Sequence, residues 1–494
     1  MQLSSTRWIG LSLVLAVVGM LQLVWTTRSG PGVSPDSVQY LYAARTFGEG
    51  RGFLSIYEND GNGALTHYPP GYPIALAVAS GLRGPDALLT AGTYTNILLW
   101  GASLFLVMFL LYHFTGRHFL ALLFGVFMLS SVDLFRIHEM IWSEPLYFLL
   151  SLMALWKLSE HITTGNRRDL ALAVVCAALA ATTRYIGIVL VFSMASVVLL
   201  RWRANLGQRL IRAALTGMLS GLLLLAWLIR SRLVSHSMTN REFGYHPMTA
   251  DYWSDLLEAL GEYFLQVLQL QQQSRIAGGL IIIGTIVLLV RYRRSLFAFL
   301  QTNTFAFALV FCNVSYLLFL GFSNTFLDHT PFYYRIVYPI LVQLMIAAGL
   351  FVDRWVESRT WSYRKRVGAI AFISLYLCVH ISDHARYLLR KDDANGYFSQ
   401  TWRKDAVLTY IRTHPKDAVC SNAQDVLYVH TGRVLPPLAG MTNAEAGTLV
   451  AVFANGAFRN GRSSTEDLLS GDVHAPARLE LMMDGPHSRL YRVR

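Results

Sequence analysis

The chain has 494 residues, of which 54% are hydrophobic and 15% charged, against roughly 25% charged in ordinary soluble domains. With a mean hydropathy of +0.40, this composition excludes a soluble globular protein and a disordered one, and points to a chain solvated largely by lipid. The formal net charge of +12 by itself permits nucleic acid, an anionic membrane or a sidedness signal.

Apolar runs of about 17–25 residues are long enough to cross a bilayer as helices. Such runs fall near 7–27, 87–112, 118–133, 141–158, 169–183, 185–200, 209–229, 276–290, 302–321, 334–352 and 367–383. The fold class is therefore an α-helical polytopic membrane protein, with about eleven transmembrane helices expected. The first run ends in Leu23-Val24-Trp25 and lacks a small-residue cleavage site, so it reads as a retained helix rather than a signal peptide.

With the N-terminus in the cytoplasm, the short connections on that side hold 17 Lys and Arg against 4 acids. The opposite side, up to residue 383, holds 11 against 15, and the tail beyond it 14 against 11. The charge of +12 thus sorts into +13, −4 and +3. By the positive-inside rule this is a topology signal, and nucleic acid drops out as a partner. Cys176, Cys312 and Cys378 lie in apolar runs and Cys420 in a polar stretch, with no CxxC, so neither a disulfide framework nor a zinc site is implied.

Three outer segments are too long for simple turns: 28–86, 230–275 and the tail 384–494. Residues 251–270 place Tyr252, Leu256, Leu257, Leu260, Tyr263, Phe264 and Leu268 at helical spacing, as in an amphipathic helix on the outer membrane surface. In the tail, a helix at 402–413 precedes a strand at 418–421 and a helix at 424–430. A Pro-bounded strand at 433–435, a strand at 450–454 and a hairpin pairing 479–483 with 490–493 follow. The chain so divides into a transmembrane region, 1–383, and a small soluble extracytoplasmic α/β domain, 384–494.

The first outer segment begins Ser34-Pro35-Asp36-Ser37-Val38-Gln39-Tyr40, with apolar positions at helical spacing. Asp36 falls in the first turn, where an acid complements the helix N-terminus; a carboxylate held at the membrane surface also suits a general base. Further on, His67-Tyr68-Pro69-Pro70-Gly71-Tyr72-Pro73 is stiffened by its prolines, either to tie the segment down or to aim the imidazole and phenol groups. His138-Glu139-Met140-Ile141-Trp142-Ser143-Glu144-Pro145 opens a span. Ser143 is placed to cap it, with Glu144 and Pro145 in its first turn, yet Glu144 lies on the same side as Asp36. Arg184, where two spans abut, and Arg335, at the outer start of another, are cations on the side that the charge rule depletes. They either snorkel to headgroups or hold a phosphate anion. His138, Glu139 and Glu144 with Asp36 offer ligands for a divalent cation without any diagnostic spacing, so a divalent cation stays open as a cofactor while no metal site is assigned.

In this order and sidedness, Pro35-Asp36-Ser37 with Tyr40 and Ala43-Ala44, His67-Tyr68-Pro69-Pro70, Ser143-Glu144-Pro145-Leu146, Thr183-Arg184-Tyr185-Ile186-Gly187 and Tyr334-Arg335-Ile336-Val337-Tyr338-Pro339 resemble the GT-C class of polytopic glycosyltransferases. The likeness is to its bacterial members related to protein O-mannosyltransferases and to aminoarabinose transferases. The resemblance covers 1–383, and the tail is similar to extracytoplasmic domains appended to some members. It implies transfer of a sugar, with inversion, from a polyprenyl-phosphate donor to a lipid, polysaccharide or protein acceptor on the outer face of the cytoplasmic membrane.

Carried over residue by residue, Asp36 is expected as the catalytic acid that takes the acceptor proton, and Glu144 stands where relatives have a second aspartate. His67 and Tyr68 replace an acid and a lysine that precede the Pro-Pro element in relatives. Donor phosphate binding is therefore expected from Arg184 and Arg335 together with His67 and Tyr68, and substrate positioning from Tyr40, His138, Glu139 and Tyr338. A lipid-linked sugar transporter or flippase would favour internal repeats and broken mid-bilayer helices. A non-catalytic envelope-glycan assembly subunit would account for the departures at residues 67, 68 and 144.

Overall fold

The computed structural model describes residues 5–58, 61–81, 85–241, 243–264, 271–327, 334–358, 362–437, 445–453 and 479–494. In chain order the helices before the tail are α1 (Ser5–Thr26), α2 (Pro35–Gly48), α3 (Gly71–Ala79), α4 (Pro85–Thr115), α5 (His118–Ser130), α6 (Val132–Glu139), α7 (Glu144–Thr164), α8 (Arg167–Thr183), α9 (Gly187–Arg201), α10 (Leu206–Ser235), α11 (Ala250–Phe264), α12 (Gln271–Thr302), α13 (Thr304–Phe326), α14 (Tyr334–Glu357) and α15 (Tyr363–Arg390). A two-stranded ribbon, β1 (Leu54–Ser55) with β2 (Gly63–Ala64), follows α2.

Among the described residues seven helices are long and apolar enough to cross a membrane: α1, α4, α10, α12, α13, α14 and α15. They become eight if α5 and α6, bent by 62° at Ser131, form one broken span, against the eleven or so expected. The difference lies in α7, α8 and α9, which form where spans were expected. α7 carries Glu144, Lys157 and Glu160, α8 opens on Arg167, Arg168 and Asp169, and α9 has only 15 residues, about 22 Å of helix.

Charged residues pair at both ends of the bundle. Lys157 meets Asp169 at 3.1 Å and Arg117 meets Asp353 at 3.3 Å at one end, while Asp36, Glu144, Arg184 and Arg335 gather at the other. The outer faces of α10 and α12 are lined with exposed Leu, Ile and Val, the surface expected against lipid tails.

The tail continues from α15 through α16 (Gln400–Arg403), α17 (Ala406–Thr413), β3 (Val419–Ser421), α18 (Gln424–Thr431), β4 (Leu449–Phe453), β5 (Leu479–Asp484) and β6 (Ser488–Val493). Its sheet has the order β3-β4-β6-β5, with β3 parallel to β4 and the other pairs antiparallel. The expected strand at 433–435 does not form. Pro436 and Pro437 have no N–H to donate to a ladder, and only an isolated bridge joins Pro437 to Ser421. Ala454, the end of another expected strand, and residues 265–270 of the expected surface helix lie outside the described residues.

The tail and the first outer segment share one hydrophobic core. Val38, Tyr40, Leu41 and Tyr42 of α2 and Leu76 of α3 pack into the same buried cluster as Val407, Leu408, Ile411, Leu427 and Phe453. Asp425 accepts hydrogen bonds from Tyr397 (2.7 Å) and Tyr57 (3.4 Å), and Arg45 donates to the carbonyl of Gly432 at 3.0 Å. α2 is thus clamped between the transmembrane helices and the tail, which fixes the residue that opens it.

Candidate active site

α2 starts with a capping box. The Ser34 hydroxyl accepts from the Ser37 amide, the Ser37 hydroxyl accepts from the Ser34 amide, and Pro35 occupies the first turn. This locks the turn that carries Asp36. The Asp36 carboxylate accepts a hydrogen bond at Oδ1 from Tyr68 at 2.6 Å and pairs at Oδ2 with Arg335. Burial raises the Asp36 pKa, but the Arg335 charge and the Tyr68 and Arg335 hydrogen bonds outweigh it, so the carboxyl titrates below the usual aspartate range. Burial, reinforced by the Asp36 charge, pushes the Tyr68 phenol up, so it stays protonated and donates.

Behind Asp36, Glu144 is 1% exposed. Its Oε1 lies between two guanidinium groups, 2.6 Å from Arg184 Nη1 and 3.1 Å from Arg335 Nε, and its Oε2 has no hydrogen-bond partner among the described residues. Glu144 therefore holds two like charges side by side, and Arg335 bridges both acids. Ser143 stands at the N-terminal position of α7 but does not cap it. Its hydroxyl accepts from Arg184 at 3.1 Å and lies 3.1 Å from the Tyr40 hydroxyl. The Arg335 guanidinium packs over the Trp142 ring at 4.6 Å, and Trp142 donates to Ser34 Oγ at 2.7 Å.

Two close approaches make this convergence feasible. A side chain on Gly71 would stand 2.6 Å from the carbonyl of Thr182, so the glycine lets the proline-rich loop lie directly against the end of α8, next to Arg184. Tyr185, the following residue, donates its hydroxyl to the carbonyl of Thr66 at 2.5 Å and ties the same loop down.

Asp36, Tyr40, His67, Tyr68, Arg184 and Arg335 all line one cavity of about 430 Å³. Its other wall is apolar, with Leu224, Leu228, Phe319, Leu320 and Ile336 from α10, α13 and α14. Arg241 also lines it, stacked 5.7 Å from the Tyr185 ring. The sidedness argument that singled out Arg184 and Arg335 applies equally to Arg241. Trp142 and Ser143, by contrast, carry no sequence signal for their roles, because these arise from packing.

The remaining expected residues sit elsewhere. His138 is buried in the bundle, with Nδ1 2.8 Å from the carbonyl of Leu134 and its ring against Trp100 and Tyr338. Tyr338 packs on Phe148. Glu139 faces the start of the tail, where Oε2 accepts from Tyr387 and from Asn395 at 2.8 Å and lies 3.6 Å from Lys391. Among the described residues no three His, Cys, Asp or Glu side chains gather to hold a metal ion. Asp36 and Glu144 both face guanidinium groups.

No family model and no curated protein matches the chain by sequence. Solved structures do. ArnT from Cupriavidus metallidurans, bound to undecaprenyl phosphate, superposes with a TM-score of 0.61 at 12% identity, over 99% of this chain and 98% of that one. The chain has a GT-C-like fold. The archaeal oligosaccharyltransferase AglB from Archaeoglobus fulgidus, in complex with an inhibitory peptide and a dolichol-phosphate, superposes with a TM-score of 0.51 at 11% identity, over 90% of this chain and 69% of that one. The match to ArnT runs over nearly the whole length, so the GT-C-like fold includes the tail.

Proposed function

We propose that the chain is an inverting glycosyltransferase that moves a sugar from a polyprenyl-phosphate donor to an acceptor hydroxyl on the outer face of the cytoplasmic membrane. The observation that carries this reading is the single cavity in which an ionised Asp36 and two clustered guanidinium groups face an apolar wall of transmembrane helices. That wall suits a lipid tail entering from the bilayer, and the arginines suit its phosphate.

In the proposed reaction the acceptor oxygen attacks the anomeric carbon opposite the donor phosphate. Asp36 takes the hydroxyl proton and ends as the neutral acid. The bond from the anomeric carbon to the phosphate oxygen breaks, and its electron pair leaves on the lipid phosphate. The transition state has oxocarbenium character, and the charge growing on the phosphate is met by Arg184 and Arg335, which need not reorganise at that moment. Glu144 keeps the two guanidinium groups adjacent. Tyr68 holds the Asp36 carboxylate in place, with its low pKa keeping it ionised and ready to accept a proton.

The test is transfer from labelled polyprenyl-phosphate sugars by purified protein in detergent or lipid discs. Asp36→Asn is expected to abolish transfer, by at least about a thousandfold for loss of the base and its charge, with membrane insertion and thermal melting unchanged. Undiminished turnover by that variant overturns the assignment of Asp36. Movement of intact sugar lipid across vesicles without release of the phosphate supports the transporter reading instead.

A further inference from the structure

A second cavity, of about 320 Å³, lies on the other side of the α2 start. Pro35 lines it while Asp36 lines the first, and Trp142, which lines it, packs on the Arg335 that holds Asp36. The two cavities therefore meet at the Asp36–Arg335–Trp142 partition. We infer that this second cavity binds the acceptor, and that the acceptor is a neutral carbohydrate. The inference rests on the glycosyltransferase reading given above.

The lining selects that class in three ways. Tyr334 and Tyr387, half-buried, supply aromatic surface, with Trp142 and Tyr397 buried beside them and the polar groups of Arg136 and Asn395 at the rim. Flat rings match the C–H faces of a sugar ring, and the exposed Arg136 its hydroxyls. The fixed charges around the cavity are offset locally: Arg136 lies 3.6 Å from Asp133 and Lys391 lies 3.6 Å from Glu139. Among the described residues that line the cavity Arg136 is the only cation, and Asp133 faces it, so the lining does not favour an anionic acceptor.

The main chain around the cavity is already paired. The Gly32 amide donates to Glu139, the Ile141 amide to Gly32, the Val33 amide to Asn395 and the Tyr397 amide to Val33, at 2.8–3.2 Å. A peptide would find no open strand edge there. The lining also comes from the ends of α6, α14 and α15 and the segments beside them, not from mid-span positions, unlike the apolar wall of the first cavity. An acyl chain gains nothing from it.

Glu139 acts behind this surface as a positioning residue. It is 3% exposed, does not line the cavity, and fixes Tyr387 and Asn395 by hydrogen bonds.

The experiment supplies membranes from cells expressing the full chain with tritiated polyprenyl-phosphate hexoses and pentoses, and then fractionates the product. Label is expected in delipidated, protease-resistant material that periodate destroys. Product label that protease releases, or that chloroform–methanol extracts beyond the unreacted donor, overturns the acceptor assignment while leaving the enzyme reading intact. Absence of any donor consumption overturns both.

With the carbohydrate acceptor in hand, Arg136→Ala is expected to raise its KM by about tenfold with donor KM unmoved, and Arg136→Lys to recover part of the loss. A fall in kcat with acceptor KM unchanged overturns the site. If Arg136→Ala does not accumulate in membranes, Arg136→Gln is read by the same criteria.

Discussion

At Asp36 two opposing effects act on one carboxyl: burial favours the neutral acid and Arg335 favours the anion, and the net shift is downward. The sign leads to a prediction. In the unmodified protein Asp36 is ionised well below pH 7, so its contribution to turnover is lost only as pH falls through that lowered pKa. In Arg335→Ala the burial effect is opposed only by the Tyr68 hydrogen bond and the Arg184 charge. The acid limb of kcat/KM is then expected to move toward neutrality, besides a loss of turnover, and an unmoved limb would mean that Asp36 does not carry it. Glu144 calls for a different measurement. Removing a buried partner leaves uncompensated charge at a cost of about 3–5 kcal/mol, and Glu144→Ala leaves two adjacent guanidinium groups without their shared oxygen. Its thermal midpoint is expected to fall far more than that of Asp36→Asn.

Among the elements, α11 carries the clearest pH response outside the site. Burial, with the charges of Asp133 and Glu258, raises Glu262 to about 7. An acid whose pKa is higher in the folded state than in the unfolded one destabilises the fold as pH climbs between the two values, here from the ordinary glutamate value of 4.5 to about 7. Glu262→Gln is expected to raise the thermal midpoint more at pH 8 than at pH 5; an equal shift at both removes the explanation. Most helices were legible in the sequence because lipid demands long apolar runs, and the tail strands because their alternation and turn residues agree. The bend between α5 and α6 was not legible, since Ser131 gives no breaker signal and the short α6 is fixed by its packing. The candidate site was legible as two arginines that the charge rule sets apart, facing two acids in the expected topology. Their pairing was not, because which acid each arginine meets depends on helix crossings that no local pattern records.

For the molecule as a whole, the shared core makes α2 depend on the tail. A chain ending at Arg390 would expose Val38, Leu41 and Tyr42 and lose the packing of Tyr397, Val407 and Leu427 against them. Such a chain is expected to insert in the membrane but to be cut by protease within residues 28–86, where the full chain resists; resistance in the shortened chain would show that α2 stands without the tail. The same dependence has a consequence in time. Asp36 is synthesised 361 to 417 residues before Tyr397 to Phe453, the tail partners that seat its helix. At about 5–20 residues per second, roughly 20 to 80 seconds separates the two. Until the tail is made, α2 thus lacks the core that seats it, and the turn carrying Asp36 is fixed only once the tail has folded onto it.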